Sequence, residues 1–302
     1  TDRTVVKQVG VNTYLLGSLS YEMVFILEGN SKLDAFDILD LPGARSRENL
    51  SLKDIEEKCR PFIDDYNSAD ESGAIEAFDF LRRGKVAYLF DRYSNNREMD
   101  QLLLCLNTDA QMEINELNLI MNSWVDKNVG ATAELRHNFN YNPLTVACTR
   151  FDAYFTKQLT NIRNGVPVAI KNATSNTLDF IKKGTWFLNW DSGKCFNRVF
   201  LVRKPRIGKE FVAWFEYADD GKTELKIIDN DVDKIDKIKN SILECPDFIN
   251  AIGPDKIDTV LENFLAVNNG GASLIADSIK SNALDQKKRT ELRVDGVKSD
   301  LQ

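Results

Sequence analysis

The chain has 302 residues, room for two domains of ordinary size, and its 43% hydrophobic content is enough to give each a core. Lysine and arginine number 39 against 46 aspartates and glutamates, a formal net charge of -7, which excludes a phosphate-tracking nucleic-acid surface as a first reading. The single histidine, His137, excludes a zinc site built on several imidazoles and leaves any Ser-His-Asp scheme that one residue to use.

Along the chain, short apolar runs alternate with longer amphipathic ones. Tyr21–Leu27 is apolar and partly aromatic, and Ala35–Leu41 (AFDILDL) has the form of a short buried strand that stops at Pro42-Gly43. Leu52–Tyr66 and Gly73–Arg97 are expected as helices. In the second, Ile75, Phe78, Leu81, Val86, Leu89, Phe90 and Tyr93 recur at roughly helical spacing, with Gly84 its weak point. Leu102–Leu106 (LLLCL) is expected as a buried strand. Glu113–Lys127 gathers Ile114, Leu117, Ile120, Met121, Trp124 and Val125 on one helical face, and Gly130 closes the unit.

Pro143–Cys148 begins a third strand, Asp152–Ile162 and Asn176–Lys183 are expected as helices, and Asn197–Val202 (NRVFLV) is a fourth strand ending at Lys204-Pro205. Strands separated by helices require crossover connections, so the fold class is α/β with a mostly parallel sheet flanked by helices. After Pro205 the texture changes. Glu210–Tyr217 and Glu224–Ile228 flank the turn Asp219-Asp220-Gly221-Lys222 as a hairpin. Asp231–Leu243 and Asp255–Val267 follow as amphipathic helices, and a polar tail from Asn282 onward is expected to fray. The expected division is an α/β core over residues 1–205 and a hairpin with a helical extension over 206–302.

Two strand tips carry chemistry. Phe36–Gly43 ends in Asp40-Leu41-Pro42-Gly43, and in nucleotide-binding α/β proteins an aspartate at a strand tip reaches a magnesium ion while the following glycine lets a backbone N–H approach a terminal phosphate. The plain alternative is an aspartate capping a tight turn. Leu144–Cys148 runs on into Thr149-Arg150-Phe151-Asp152, where a fixed Asp152 carboxylate can accept both the ring N–H and the exocyclic amine of guanine. The plain alternative there is an aspartate in the first turn of the next helix. Arg45 and Arg47 lie just beyond Gly43, placed either to neutralise charge on a γ-phosphate or as a solvated basic turn.

The order of these features, a strand with Asp-x-x-Gly, a long helical insertion, LLLCL, then a strand ending in Thr-Arg-x-Asp, resembles P-loop GTPases of the dynamin-like and translation-factor kind. More narrowly, Asp37–Arg47 (DILDLPGARSR) and Arg83–Arg97 (RGKVAYLFDRYSNNR), followed by LLLCL, resemble the putative bacterial virulence factor family, the SrfC-like proteins, over roughly Phe36 to Pro205. The resemblance implies a P-loop NTPase-like domain binding GTP and Mg, with Asp40 and Gly43 at the metal and γ-phosphate and Thr149, Arg150 and Asp152 at the base.

One departure is decisive for turnover. No stretch spells G-x-x-x-x-G-K-[S/T], whose backbone amides and lysine supply most phosphate binding. Gly84-Lys85 continues into valine, and Gly221-Lys222-Thr223 is a hairpin turn with Glu216 where the first glycine belongs. The chain starts at Thr1 without Met, as a fragment would, so it is either a fragment or a degenerate relative. No turnover is expected from it alone. The rival reading is a non-enzymatic scaffold docking a protein partner through its C-terminal part. A hydrolase using His137 ranks last, because no G-x-S-x-G elbow is present.

The five cysteines, Cys59, Cys105, Cys148, Cys195 and Cys245, form no C-x-x-C pair and no disulfide framework, which suits a reducing compartment. No apolar stretch reaches the ~20 residues of a membrane span. The expected location is cytoplasmic.

Overall fold

The structure is a computed structural model that describes residues 33, 36–40, 53–54, 56–57, 60, 71–107, 114–138, 141–168, 186–203 and 214–300. The chain divides into two compact units, Thr1–Asn96 and Arg97–Gln302. The boundary expected at Pro205 lies outside the described residues.

In the first unit, helix α1 covers Glu71–Asn95, as the spacing predicts. Val86, Leu89 and Phe90 are buried at i, i+3 and i+4, the stripe that one helix face presents, whereas Leu81 and Tyr88 are exposed. Gly84 does not interrupt the helix. The described residues between 53 and 60 are also helical. The strand expected at Ala35–Leu41 is corrected where it is described. Residues 36–40 join no strand among the described residues, and Ile38 is 75% exposed. Phe36 N–H instead donates to the Leu33 carbonyl at 2.9 Å, a turn contact. A short apolar run interrupted by Asp37 and Asp40 lacks the unbroken apolar character of a strand buried on both faces.

The second unit is built on three parallel strands in the order β1 (Leu102–Asn107), β2 (Leu144–Thr149) and β3 (Val199–Leu201). Leu102 pairs with Leu144 and Val146 with Val199. Strand β2 lies between the other two, and Leu144–Cys148 are all buried, which is why LTVAC has no polar alternation. Strand β1 is less enclosed than its sequence suggests, since Leu103 and Cys105 are exposed while Leu106 is buried.

The β1–β2 crossover contains α2 (Ile114–Val125), a π-helical turn over Asp126–Gly130, and α3 (Ala133–Asn138). Gly130 closes that turn for a steric reason, because a Cβ there would come within 2.7 Å of Leu135 Cβ. The β2–β3 crossover contains α4 (Phe151–Arg163). The helix expected at Asn176–Lys183 lies outside the described residues.

An antiparallel hairpin follows, β4 (Phe215–Tyr217) with β5 (Glu224–Ile227), turned as the Asp-Asp-Gly-Lys signal predicts. Then come α5 (Val232–Leu243), α6 (Pro246–Ile252), α7 (Ile257–Leu265), α8 (Ala272–Ser281) and α9 (Gln286–Asp300). Helix α5 buries Ile235, Ile238 and Ile242, and α7 buries Ile257, Val260, Leu261 and Phe264, each at helical spacing.

An aromatic core joins these elements to the sheet. Phe155 of α4 stacks on Trp214 with ring centroids 5.4 Å apart, and Phe151 packs edge-on against Phe248 of α6 and Phe264 of α7. The polar tail is folded, contrary to the expectation of fraying. Asp285 caps α9 by accepting from Lys288 N–H at 2.7 Å, and Arg289 pairs with Asp100 at 2.6 Å. Polar contacts anchor this helix, which is why hydrophobic patterning does not reveal it. No helix among the described residues is long and apolar enough to cross a membrane.

Candidate functional site

In open parallel sheets, ligands gather beyond the carboxyl ends of the strands. At that edge β2 ends in Thr149, whose Oγ1 donates to the Leu106 carbonyl of β1 at 3.1 Å. Arg150 then takes the left-handed conformation (φ 58°, ψ 28°) that turns the chain from strand into α4. Phe151 N–H donates to the Val202 carbonyl at 3.1 Å, and Val202 N–H donates to the Cys148 carbonyl at 2.9 Å, so the tips of β2 and β3 are tied side by side. Thr149, Arg150 and Asp152 are thus brought together on one turn.

Asp152 sits in the first turn of α4 and is 7% exposed. The helix N-terminus favours its charge there. Its neighbourhood includes Tyr217 at the end of β4. Burial pushes the Tyr217 phenol up, the charges of Glu224 and Asp152 push in the same direction, and Arg203 opposes them. The Tyr217 hydroxyl is buried and has no hydrogen-bond partner among the described residues.

Arg203, two residues beyond β3, and Glu224, the first residue of β5, form a bidentate pair with neither side chain exposed. Arg203 also donates to the carbonyls of Phe264 (2.8 Å) and Ala266 (2.6 Å), and its guanidinium lies 4.4 Å from the centroid of the Phe215 ring. Glu224 accepts from Asn268 N–H at 2.6 Å. These contacts fasten the hairpin and the α7–α8 connection to the end of β3. Sequence reasoning passed over the pair, yet a signal was present in Asn268-Asn269-Gly270-Gly271, a run that favours left-handed backbone. Asn268, Gly270 and Gly271 all have positive φ.

Asp40 is exposed and belongs to the first unit, while Gly43, Arg45 and Arg47 lie outside the described residues. No group of three or more His, Cys, Asp or Glu side chains suited to a metal occurs among the described residues. Asp152 has the chemistry for the base half of a guanine nucleotide, whereas no part of the sequence supplies the glycine-rich cradle for its phosphates. His137 is an exposed residue whose Nδ1 lies 2.7 Å from Asp191 Oδ1.

The family model described as "Putative bacterial virulence factor" covers residues 1–300, and the chain belongs to that family. No curated protein and no solved structure matches it.

Proposed function

We propose that this chain is a GTPase-like module of a bacterial virulence-associated protein that retains guanine recognition and does not turn nucleotide over by itself. The observation that carries the reading is the position of Asp152, at the carboxyl edge of a parallel sheet, on the turn after its middle strand and near the unpartnered Tyr217 hydroxyl. A carboxylate held there can accept two N–H groups from guanine and has nothing equivalent to accept from N1 of adenine. Asp152 is 7% exposed, so its neighbours shift when a base enters, and binding is weak. Asp40 and Gly43 are assigned to Mg and the γ-phosphate, and Arg45 and Arg47 to charge developing on that phosphate. Phosphate affinity stays low because the chain spells no cradle.

The test is calorimetric titration of the whole chain with guanosine, adenosine and GDP. At this turn guanosine and GDP are expected to bind alike, adenosine at least tenfold more weakly, and Asp152→Asn is expected to erase the difference between guanosine and adenosine. Equal responses to guanosine and adenosine overturn the reading.

A second reading, a scaffold that docks a protein partner through its C-terminal part, is favoured by the Arg203–Glu224 pair, which holds the hairpin rigidly against the sheet. It gains if no nucleoside raises the melting temperature, since any ligand selective for the folded state must do so.

A further inference from the structure

At the opposite, amino-terminal edge of the same sheet, a cavity of about 40 Å³ opens in front of β1 and β2. Its lining includes Arg97, Asp100, Trp124, Tyr141, Arg289 and Arg293. One buried water needs ~10–15 Å³, so the space suits about three waters or one small oxyanion.

The lining is rich in donors. Trp124 is 4% exposed, and its indole N–H has no acceptor among the described residues. Arg289 uses Nη2 on the Asp100 carboxylate at 2.6 Å, while its buried Nε–H also has no acceptor among those residues. Arg97 Nη2 donates to the Lys127 carbonyl at 3.3 Å, and Arg293 Nε donates to the Arg97 carbonyl at 3.1 Å. Each contact engages one N–H of a guanidinium that carries five. The Tyr141 hydroxyl is already committed to the Asp100 backbone carbonyl. Burial keeps that phenol protonated, so it brings no negative charge to the cavity.

Among the described residues, three arginines face a single carboxylate around this small volume, in a chain whose overall charge is -7. Like charges drawn together against the sign of the protein repel one another unless an anion joins them. The orphaned groups are both donors, which excludes a cation and calls for an acceptor with several oxygens.

We propose that this cavity is a binding site for a phosphate group, held by Trp124 Nε1–H, Arg289 Nε–H and the guanidinium groups of Arg97 and Arg293. A dianion matches the excess of cations better than a carboxylate does, and its oxygens can accept from all four side chains at once. The site is independent of the nucleotide reading. It lies at the other end of six-residue strands, ~20 Å from Asp152 by strand rise, and guanosine carries no phosphate.

The probe is inorganic phosphate, titrated into the whole chain at pH 7.5 against chloride of matched ionic strength, with melting temperature and tryptophan fluorescence as readouts. Saturable binding is expected, at least tenfold tighter than that of acetate and unaffected by guanosine. Competition by glycerol 3-phosphate would place the group on a monoester, whereas binding of inorganic phosphate alone would identify the free ion. Arg293→Gln alters an exposed side chain and should fold normally while weakening phosphate about tenfold, the effect of one charge-assisted hydrogen bond. Trp124→Phe replaces the indole with a smaller aromatic ring and removes the donor, and should weaken phosphate severalfold with an unchanged circular dichroism spectrum. A response that follows ionic strength alone, an equal response to acetate, or wild-type affinity in Arg293→Gln overturns the proposal.

Discussion

Arg203 and Glu224 are 21 residues apart in sequence and meet as a bidentate ion pair from which solvent is fully excluded. Neither belongs to the turn that carries Asp152, yet both lie in the electrostatic surroundings of Tyr217 together with it. The pair therefore determines how rigidly the hairpin is held beside the candidate base site.

Removing one partner should cost far more than removing both. In Glu224→Ala the guanidinium stays buried without its counter-charge, and a loss of about 3–5 kcal/mol is expected in urea unfolding. In Arg203→Met combined with Glu224→Leu, two apolar side chains of similar bulk replace the ions, and the expected loss is smaller by at least 1 kcal/mol. A double variant as unstable as Glu224→Ala would show that the hydrogen bonds from Arg203 to Phe264 and Ala266, rather than the charge pairing, dominate.

The glycines behind this pair make a sharper contrast. Gly270 (φ 59°) and Gly271 (φ 87°) sit in left-handed backbone, and a Cβ on Gly270 would come within 2.8 Å of Arg203 Cγ and 2.9 Å of its carbonyl oxygen. On Gly271 it would collide with the Leu201 carbonyl. Each Gly→Ala change is expected to destabilise by about 2 kcal/mol or more, through backbone strain and displacement of the β3 end. Gly84 lies within α1 and has nothing within 4 Å of a built Cβ. Gly84→Ala should stabilise by about 0.5–1 kcal/mol. Thermal unfolding followed by circular dichroism measures all three.

These residues also show what the sequence made legible. Strands β1 to β3, the hairpin and helices α1, α2, α4, α5 and α7 follow from apolar spacing and turn residues, because each buries a face whose period is visible locally. Helix α9 is anchored by Asp285, Asp100 and Arg97, contacts with no hydrophobic period to reveal them. Helix α8 has no fully buried residue, and α6 spans only Pro246–Ile252. At the candidate site, the strand-end motif is enough to put Asp152 in the first turn of α4, whereas its burial and the Tyr217 neighbourhood depend on the hairpin. Arg203 and Glu224 look like ordinary surface charges in sequence, and only long-range folding brings them together.

Asp231 gives a pH signature. Burial would raise its pKa, but hydrogen bonds and charge from Arg163 and Lys234 outweigh burial and hold the carboxyl below its usual value. A depressed folded-state pKa stabilises the protein above the unfolded value of about 3.9 and loses that contribution as pH falls through the folded value. Asp231→Asn should therefore cost about 2 kcal/mol near neutral pH, from hydrogen bonds to a charged acceptor. The gap between wild type and variant should stay level down to about pH 5 and shrink below pH 4. A gap that widened on acidification would contradict the assignment.

The thiols should separate by position. Burial alone pushes Cys148, in the middle strand of the sheet, up to about 12, while Cys105 is exposed on β1. At pH 8 only about one Cys148 thiol in ten thousand would be ionised even if reagent could reach it, because alkylation proceeds through the thiolate. Iodoacetamide applied to the native chain is expected to label Cys105 within minutes and to leave Cys148 unmodified until denaturant is added, with the sites read by peptide mass spectrometry. Because Cys148 is fully buried, any labelling must follow opening of the β2 core, so its rate should rise in Glu224→Ala in proportion to the stability lost if that opening is global unfolding. Labelling of Cys148 at the same rate in both proteins would mean that β2 opens locally, independently of the Arg203–Glu224 pair.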